Sequence, residues 1–463
     1  MTYGCRKLAI FVLLRGDLLP LKKRIMDSKI EQVLKHIYDF FVSSSDFNGI
    51  PLRQIGRELR IPYKKSIDII KELVKEDKCM IQSSTNPHII RLRTYTIPSQ
   101  LDCLEDAKGL KSKRRQIGNI VFESENTEFP ICVYPSQTYL HTQRNVNGMP
   151  LFTKLLAWGE PQLTPCYFDM DVLQRYYDDP RYYFFFKDYS GRICYREEDG
   201  EPIVRKEDEA FLQSFGLGYD NSNTRIVVAF LRYLHELTPE HQNFWQSKMV
   251  HPSREPRMLA EYYDNTIDGK WVTSESVYTA FQYEMNAVID LTKQVFGKPL
   301  FREKLSLDNP PKELSFFFLP TKKNYNAFVL ALDQMISENI NYDFFVGKVA
   351  LETEKEREDG KIEVSKKGTL TLLKEWLEQS LTTAFGSLND LLKPFREIRK
   401  LRQAPAHSLT VDEHSVEYFE KQKQLIWKTY CSMRNLRVIL AGHPKADKKL
   451  VPDWLDTAEI KNY

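Results

Sequence analysis

Few features of this 463-residue chain are extreme, and its shortages carry information. Seven cysteines stand at positions 5, 79, 103, 132, 166, 194 and 431, with no Cys-x-x-Cys pair and no Cys–His cluster at zinc-ligand spacing. An odd, unpatterned set excludes a disulfide framework and reads as free thiols in a reducing cytosol, so the expected location is cytoplasmic. No apolar run approaches the roughly 18–20 residues of a membrane span, so no membrane partner is expected. Net charge is also short, because 66 Lys and Arg face 63 Asp and Glu and leave +3. That balance excludes a polycationic nucleic-acid coat but allows a local basic face. Internal repeats and low-complexity tracts are missing. Gly216-Leu-Gly218 lacks the third glycine of a dinucleotide loop, so no nucleotide cofactor is assigned. His235, Glu236, Glu240 and His241 form H-E-x3-E-H, and Pro239 breaks the helix that a zincin would need between its histidines, so no metal is assigned either. Asp169, Asp171, Asp178 and Asp179 read as surface carboxylates.

What is present is a globular composition, 42% apolar and 28% charged, with 24 Tyr and 27 Phe. The length is too great for a single core and implies two to four domains. Residues 1–26 contain a short apolar stretch, Leu8 to Leu14, cut off by Arg15 and Asp17 without a small-x-small cleavage pattern; they read as a leader or unstructured segment. Residues 27–98 follow as three apolar stripes at helical spacing: 28–45, a short one through Leu52, Ile55 and Leu59, and Tyr63 to Asp77. Arg60-Ile61-Pro62 breaks tightly between the last two. CMIQSS, a Thr85-Asn86-Pro87 turn and HIIRLRTYTI then read as a hairpin. That order is the layout of a winged helix-turn-helix. Its third helix opens with Tyr63, Lys64 and Lys65, with Arg53 and Arg60 nearby and Arg91 on the wing. These are candidate contacts to duplex DNA.

Residues 99–115 are charge-dense and read as a basic linker. Residues 116–310 read as a mixed α+β domain of unassigned role. Its strands include YYFFFKDYSGRICYRE, turning at Ser190-Gly191, and its helices include Arg225–Leu237 and Ser276–Val295. Thr238 is a candidate N-cap for a helix opening at Pro239, and Trp158, Trp245 and Trp271 are expected in the core. Residues 311–445 are mainly helical, with amphipathic segments over Tyr325–Asn339, Leu370–Phe385, Leu388–Leu401 and His414–Leu440. Asp359-Gly360 there signals a hairpin turn. Gly386-Ser387 and Pro394 mark bends, and residues 446–463 read as a tail.

The most informative constellation is Arg402-Gln403-Ala-Pro-Ala-His407. Arginine and histidine with four to six residues between them are expected about 1.6 times by chance in this composition, and the pattern occurs twice. Arg437 and His443 read as helix termination. Arg402 and His407 instead stand where one long helix ends and another is about to begin. The stretch from Leu401 through Leu440 resembles the closing half of HEPN domains: arginine, a polar residue, a histidine within a few positions, a short loop and a final long helix. The resemblance covers roughly 130 residues of the C-terminal third. It implies an all-α bundle and metal-independent RNA cleavage at a composite site formed across a homodimer.

The chemistry is consistent with those residue types. Cleavage through the ribose 2′-hydroxyl needs a base, an acid and a cation for the phosphate. Histidine serves either proton task, and arginine holds two phosphate oxygens in its planar fork. Arg402 and His407 are therefore the candidate catalytic pair. Glu397 is a candidate to orient Arg402, and Gln403 a candidate phosphate or base contact. The expected architecture is a multidomain α+β chain with an N-terminal winged helix, a mixed α/β middle and a C-terminal HEPN-like helical bundle. The expected function is a ribonuclease, toxin- or defence-related and regulated through its N-terminal part. A non-enzymatic DNA-binding regulator whose helical bundle only dimerises is the alternative.

Overall fold

The computed structural model describes residues 26–82, 95–111, 113–117, 120–124, 130–143, 145–307, 311–356, 362–380, 388–403 and 411–463. The front of the chain runs α1 (26–43), β1 (Ile50–Pro51), α2 (Leu52–Glu58), α3 (Tyr63–Lys75) and β2 (Cys79–Gln82). Then come α4 (Ile97–Ala107), β3 (Lys113–Ile117), β4 (Ile120–Ser124), β5 (Cys132–Pro135), α5 (Gln137–Gln143) and α6 (Leu151–Ala157). The middle contains β6 (Pro165–Asp169), α7 (Gln174–Asp178), β7 (Tyr182–Lys187), β8 (Ser190–Tyr195), the minor pair β9 (Glu197–Glu198) and β10 (Glu201–Pro202), β11 (Phe211–Tyr219) and β12 (Arg225–Phe230). It continues through α8 (Leu231–Leu234), α9 (Pro239–Ser247), β13 (Arg257–Met258), α10 (Ala260–Thr266) and β14 (Glu275–Ser276). The rest is mainly helical: α11 (Val277–Phe296), α12 (Lys322–Met335), a hairpin of β15 (Glu352–Glu356) and β16 (Ile362–Lys366), α13 (Thr369–Ser380), α14 (Leu388–Gln403) and α15 (Glu417–Ala441). Short α16 (Trp454–Thr457) and β17 (Ile460–Lys461) close it. The fold is mixed α+β with several small sheets and a helical C-terminal region, and no helix among the described residues is long and apolar enough to cross a membrane.

Two compact units divide these elements. The first gathers Met1–Phe168, Cys194–Phe215 and Val228–His251, and the second Asp169–Ile193, Gly216–Val227 and Pro252–Tyr463. In the first, Val33 and Ile37 of α1, Leu52 and Ile55 of α2, and Ile67, Ile70 and Leu73 of α3 meet in one apolar core. A small sheet in the order β1-β5-β2 closes its side, antiparallel throughout. Gly49 leads into that sheet because a Cβ there would lie 2.4 Å from the Tyr134 ring. In the second unit α11 packs along α15, and α14 packs against α12, α13 and α15. Their apolar stripes, such as Leu391, Leu392, Phe395 and Ile398 of α14, form the core. Pro394 lies inside α14.

Several expectations are corrected. Strand β2 pairs with β5, some fifty residues on, and Ile97, the last residue of the expected hairpin, already begins α4. Residues 83–94 of that expected hairpin, Arg91 included, lie outside the described residues, as do residues 1–25. The stretch 99–115 is not a plain linker. It carries most of α4, capped by the Thr96 hydroxyl, with Leu104 and Ala107 buried in the core. Its charges hid a stripe only two or three residues wide.

Arg225–Leu237 begins as strand β12, buried at every position. A short continuous apolar run is ambiguous in period, and its pairing within a sheet makes this one a strand. The β7–β8 turn falls on Asp188 and Tyr189, not on Ser190-Gly191, with Asp188 at φ 57°. Trp245 is fully buried and Trp158 partly, but Trp271 is 92% exposed. The presumed tail is packed, with Val451, Leu455 and Tyr463 buried and β17 parallel to β14. The presumed boundary at 310 separates α11 from α15, against which it packs. Gly216 sits in β11, where a side chain would collide with the Tyr262 ring.

Candidate functional site

Arg402 occupies the last turn of α14, where a cation complements the helix dipole. Its Nη1 donates to Oδ2 of Asp333 at 2.6 Å and to Glu338 Oε1. Arg399, one turn earlier, donates to the same Asp333 oxygen at 3.1 Å. Asp333 is fully buried on α12 among Phe328, Val329, Leu332 and Met335. A buried carboxylate needs such partners, because desolvation alone would cost several kcal/mol. Its second oxygen, Oδ1, has no partner among the described residues. The bonds to Asp333 and then Glu338 raise the Arg402 pKa above its ordinary value. The side chain remains 32% exposed. Arg402 is thus a partly exposed guanidinium clamped at one nitrogen by two carboxylates.

The carboxylates beside Arg402 are not the one read from the sequence. Glu397 lies five residues before Arg402, about 140° around the helix. It stands instead near Tyr325, whose phenol burial raises first, with Glu397 adding to the effect, to about 12. Gln403 is exposed at the end of α14. His407 falls within 404–410, outside the described residues. The chain on its far side is held to the start of α12: Lys322 N donates to Glu413 O at 2.8 Å, Lys323 N donates to Asp412 Oδ1 at 2.9 Å, and Thr321 bridges His414. Asp333 and Glu338 were missed by sequence reasoning. The available signal was an aspartate on the apolar stripe of an amphipathic helix, a position that demands a cationic partner.

The front constellation is divided. Tyr63 donates its hydroxyl to Ala107 O at 3.2 Å, and the Arg53 guanidinium lies 4.0 Å over the Tyr63 ring while reaching Leu110 O. Both side chains therefore fasten the end of α4 instead of pointing outward. Lys64, Lys65 and Arg60 are exposed at the turn into α3, Arg60 with φ 53°. The same outer surface of α3 carries Asp68, Glu72 and Lys75, so its charge is mixed. Lys108 bridges Asp68 and Glu105 at 2.8 and 2.9 Å, and Lys71 meets Glu105 at 2.6 Å.

No family model, curated protein or solved structure matches this chain. Among the described residues no group of three or more His, Cys, Asp and Glu is placed to hold a metal ion. His241 is fully buried, and His235 is held below its ordinary pKa by burial. Asp169 is bonded to Arg254 and Asp179 to Arg181.

Proposed function

We propose that the chain is a metal-independent RNA endonuclease of the HEPN kind, acting as a homodimer, with Arg402 binding the scissile phosphate and His407 moving the proton. The observation that carries the reading is the clamp on Arg402. Two carboxylates fix one nitrogen of a partly exposed guanidinium at a helix end, immediately before the segment that contains the histidine. A guanidinium with a fixed orientation binds phosphate oxygens without first losing rotamer freedom. Asp333 and Glu338 are its positioning residues. The long helix α15 after the loop, and α11 to α14 around it, agree with the bundle that the resemblance implies.

For the front of the chain, three helices and a sheet in the order β1-β5-β2 support a winged-helix reading, with α4, β3 and β4 inserted before the last strand. The mixed charge of α3 and the inward use of Arg53 and Tyr63 favour a protein contact over duplex DNA at this face. Regulation of a toxin or defence nuclease fits such a module.

The deciding experiment is cleavage of single-stranded RNA in EDTA by purified protein. His407→Ala and Arg402→Ala are each expected to lower the rate by about 100-fold or more; His407→Ala should keep a thermal midpoint close to the parent's, whereas Arg402→Ala should also lower it, because buried Asp333 is left with Arg399 alone. Equal cleavage by His407→Ala removes the enzyme reading. Salt-sensitive duplex-DNA binding that depends on Lys64 and Lys65, without RNA cleavage, would support the regulator instead.

A further inference from the structure

The second unit contains a groove of about 650 Å³ that adjoins the Arg402 clamp, since Glu338 and Arg399 line it, and for which the sequence offered no motif. Such a volume lies within the range of small-ligand sites. Three cations from three segments line it: Arg302, Lys367 at the end of the β15–β16 hairpin, and Arg399. Gly368 and Thr369 also line it and open the twelve-residue helix α13, whose first turn has no carboxylate. That end presents backbone N–H groups and the positive end of the helix dipole, a combination suited to a phosphate. Gly368 is exposed, and a Cβ there would meet nothing within 4 Å, so the approach to the helix end is open.

An independent observation points to a ligand. Ser337 lines the groove and is 3% exposed, yet its hydroxyl has no hydrogen-bond partner among the described residues. A buried hydroxyl left unpaired is costly, which marks a position where a bound polar group would be welcome. Tyr342 provides a half-buried ring fixed by its hydroxyl bond to Leu351 O at 3.0 Å. Glu338 and Asp343 add acceptors, and their presence argues against a site for a bare anion. The groove combines cations, a helix end, acceptors and an aromatic face.

We infer that this groove binds a nucleotide unit, its phosphate at the start of α13 between Lys367 and Arg302 and its base against Tyr342. The same unit is offered by a free nucleoside monophosphate and by one residue of a single RNA strand. The site goes beyond the cleavage proposal and does not depend on it, because the test reads binding alone.

Calorimetric titration of the full chain with UMP, AMP, uridine, inorganic phosphate and a ten-residue oligoribonucleotide in EDTA tests it. Saturable binding of a monophosphate, at least about tenfold tighter than uridine or phosphate, is expected if free nucleotide is the source, since each lost charged contact is worth about a factor of ten or more. Binding of the oligomer alone would assign the unit to RNA. In either case Arg302→Ala and Lys367→Ala should each weaken binding about tenfold. Asp343→Asn, at an exposed wall position, should tighten it, a gain that damage to the fold does not imitate. No binding of any nucleotide or oligomer, phosphate bound as well as UMP, or unchanged affinity in all three variants would overturn the assignment.

Discussion

Arg437 shows how the meaning of one side chain depends on what surrounds it. It is 2% exposed, and its Nε and Nη2 donate to the two oxygens of Glu284 on α11 at 2.8 and 3.0 Å. Nη2 also reaches Asp456 at 2.8 Å. Burial pushes the Glu284 carboxyl up, with the Arg437 bond opposing, whereas that bond pulls Asp456 below its ordinary value. Glu284 is the group that cannot stand alone, because Asp456 is 54% exposed and water can replace its partner. Arg437→Met is therefore expected to cost about 3–5 kcal/mol by leaving Glu284 unpaired, while Arg437→Met with Glu284→Leu recovers most of it. Urea unfolding of the two variants checks this, and a double variant no better than the single would refute it. From sequence Arg437 belonged to an Arg–His spacing read as helix termination. Its burial against α11 was invisible because the partner lies 153 residues away.

At the scale of elements, α4 was hidden in the chain by its charges, and part of its attachment is ionic. Its attachment to α3 uses buried Leu104 and Ala107 together with Glu105, which Lys71 first and Lys108 second draw down from 4.5 to about 2. A carboxylate with a lowered folded pKa stabilises above its unfolded value and loses that contribution as pH falls toward the folded one. Hydrogen exchange of residues 97–107, corrected for intrinsic rate, should accelerate between pH 4.5 and 2 relative to α2. In Glu105→Gln that pH response should vanish. The long helices needed no such help. Stripes of apolar residues placed α3, α11, α12 and α14 within a few positions of their observed bounds, and Asp359-Gly360 announced the β15–β16 pairing.

At the scale of the whole molecule, the observed units are assembled from separated segments. A linear division into domains cannot express this. The segment after α15 is the clearest case, since it contributes Leu455 and Val451 to the interior and β17 to a parallel pair with β14. A chain ended after Ala441 should lose the cooperative near-ultraviolet transition of this unit or melt well below the parent. A midpoint within about 2 °C of the parent, less than the shift of a 1 kcal/mol change, would show the segment to be dispensable. The clamp on Arg402 belongs to this scale too. It joins α14 to α12 across 69 positions of sequence, and no local pattern pairs them.

Periodicity, turn chemistry and composition determined the long helices α3, α11, α12 and α14, the β15–β16 hairpin and the mixed α+β class, because those properties are set by neighbours a few positions apart. Only the tertiary structure decided that β2 pairs with β5, that 225–230 is a buried strand, and that Asp333 and Glu338, not Glu397, hold Arg402. Strand partners and buried ion pairs are chosen by which surfaces lose water together, and that choice is made between residues far apart in the chain.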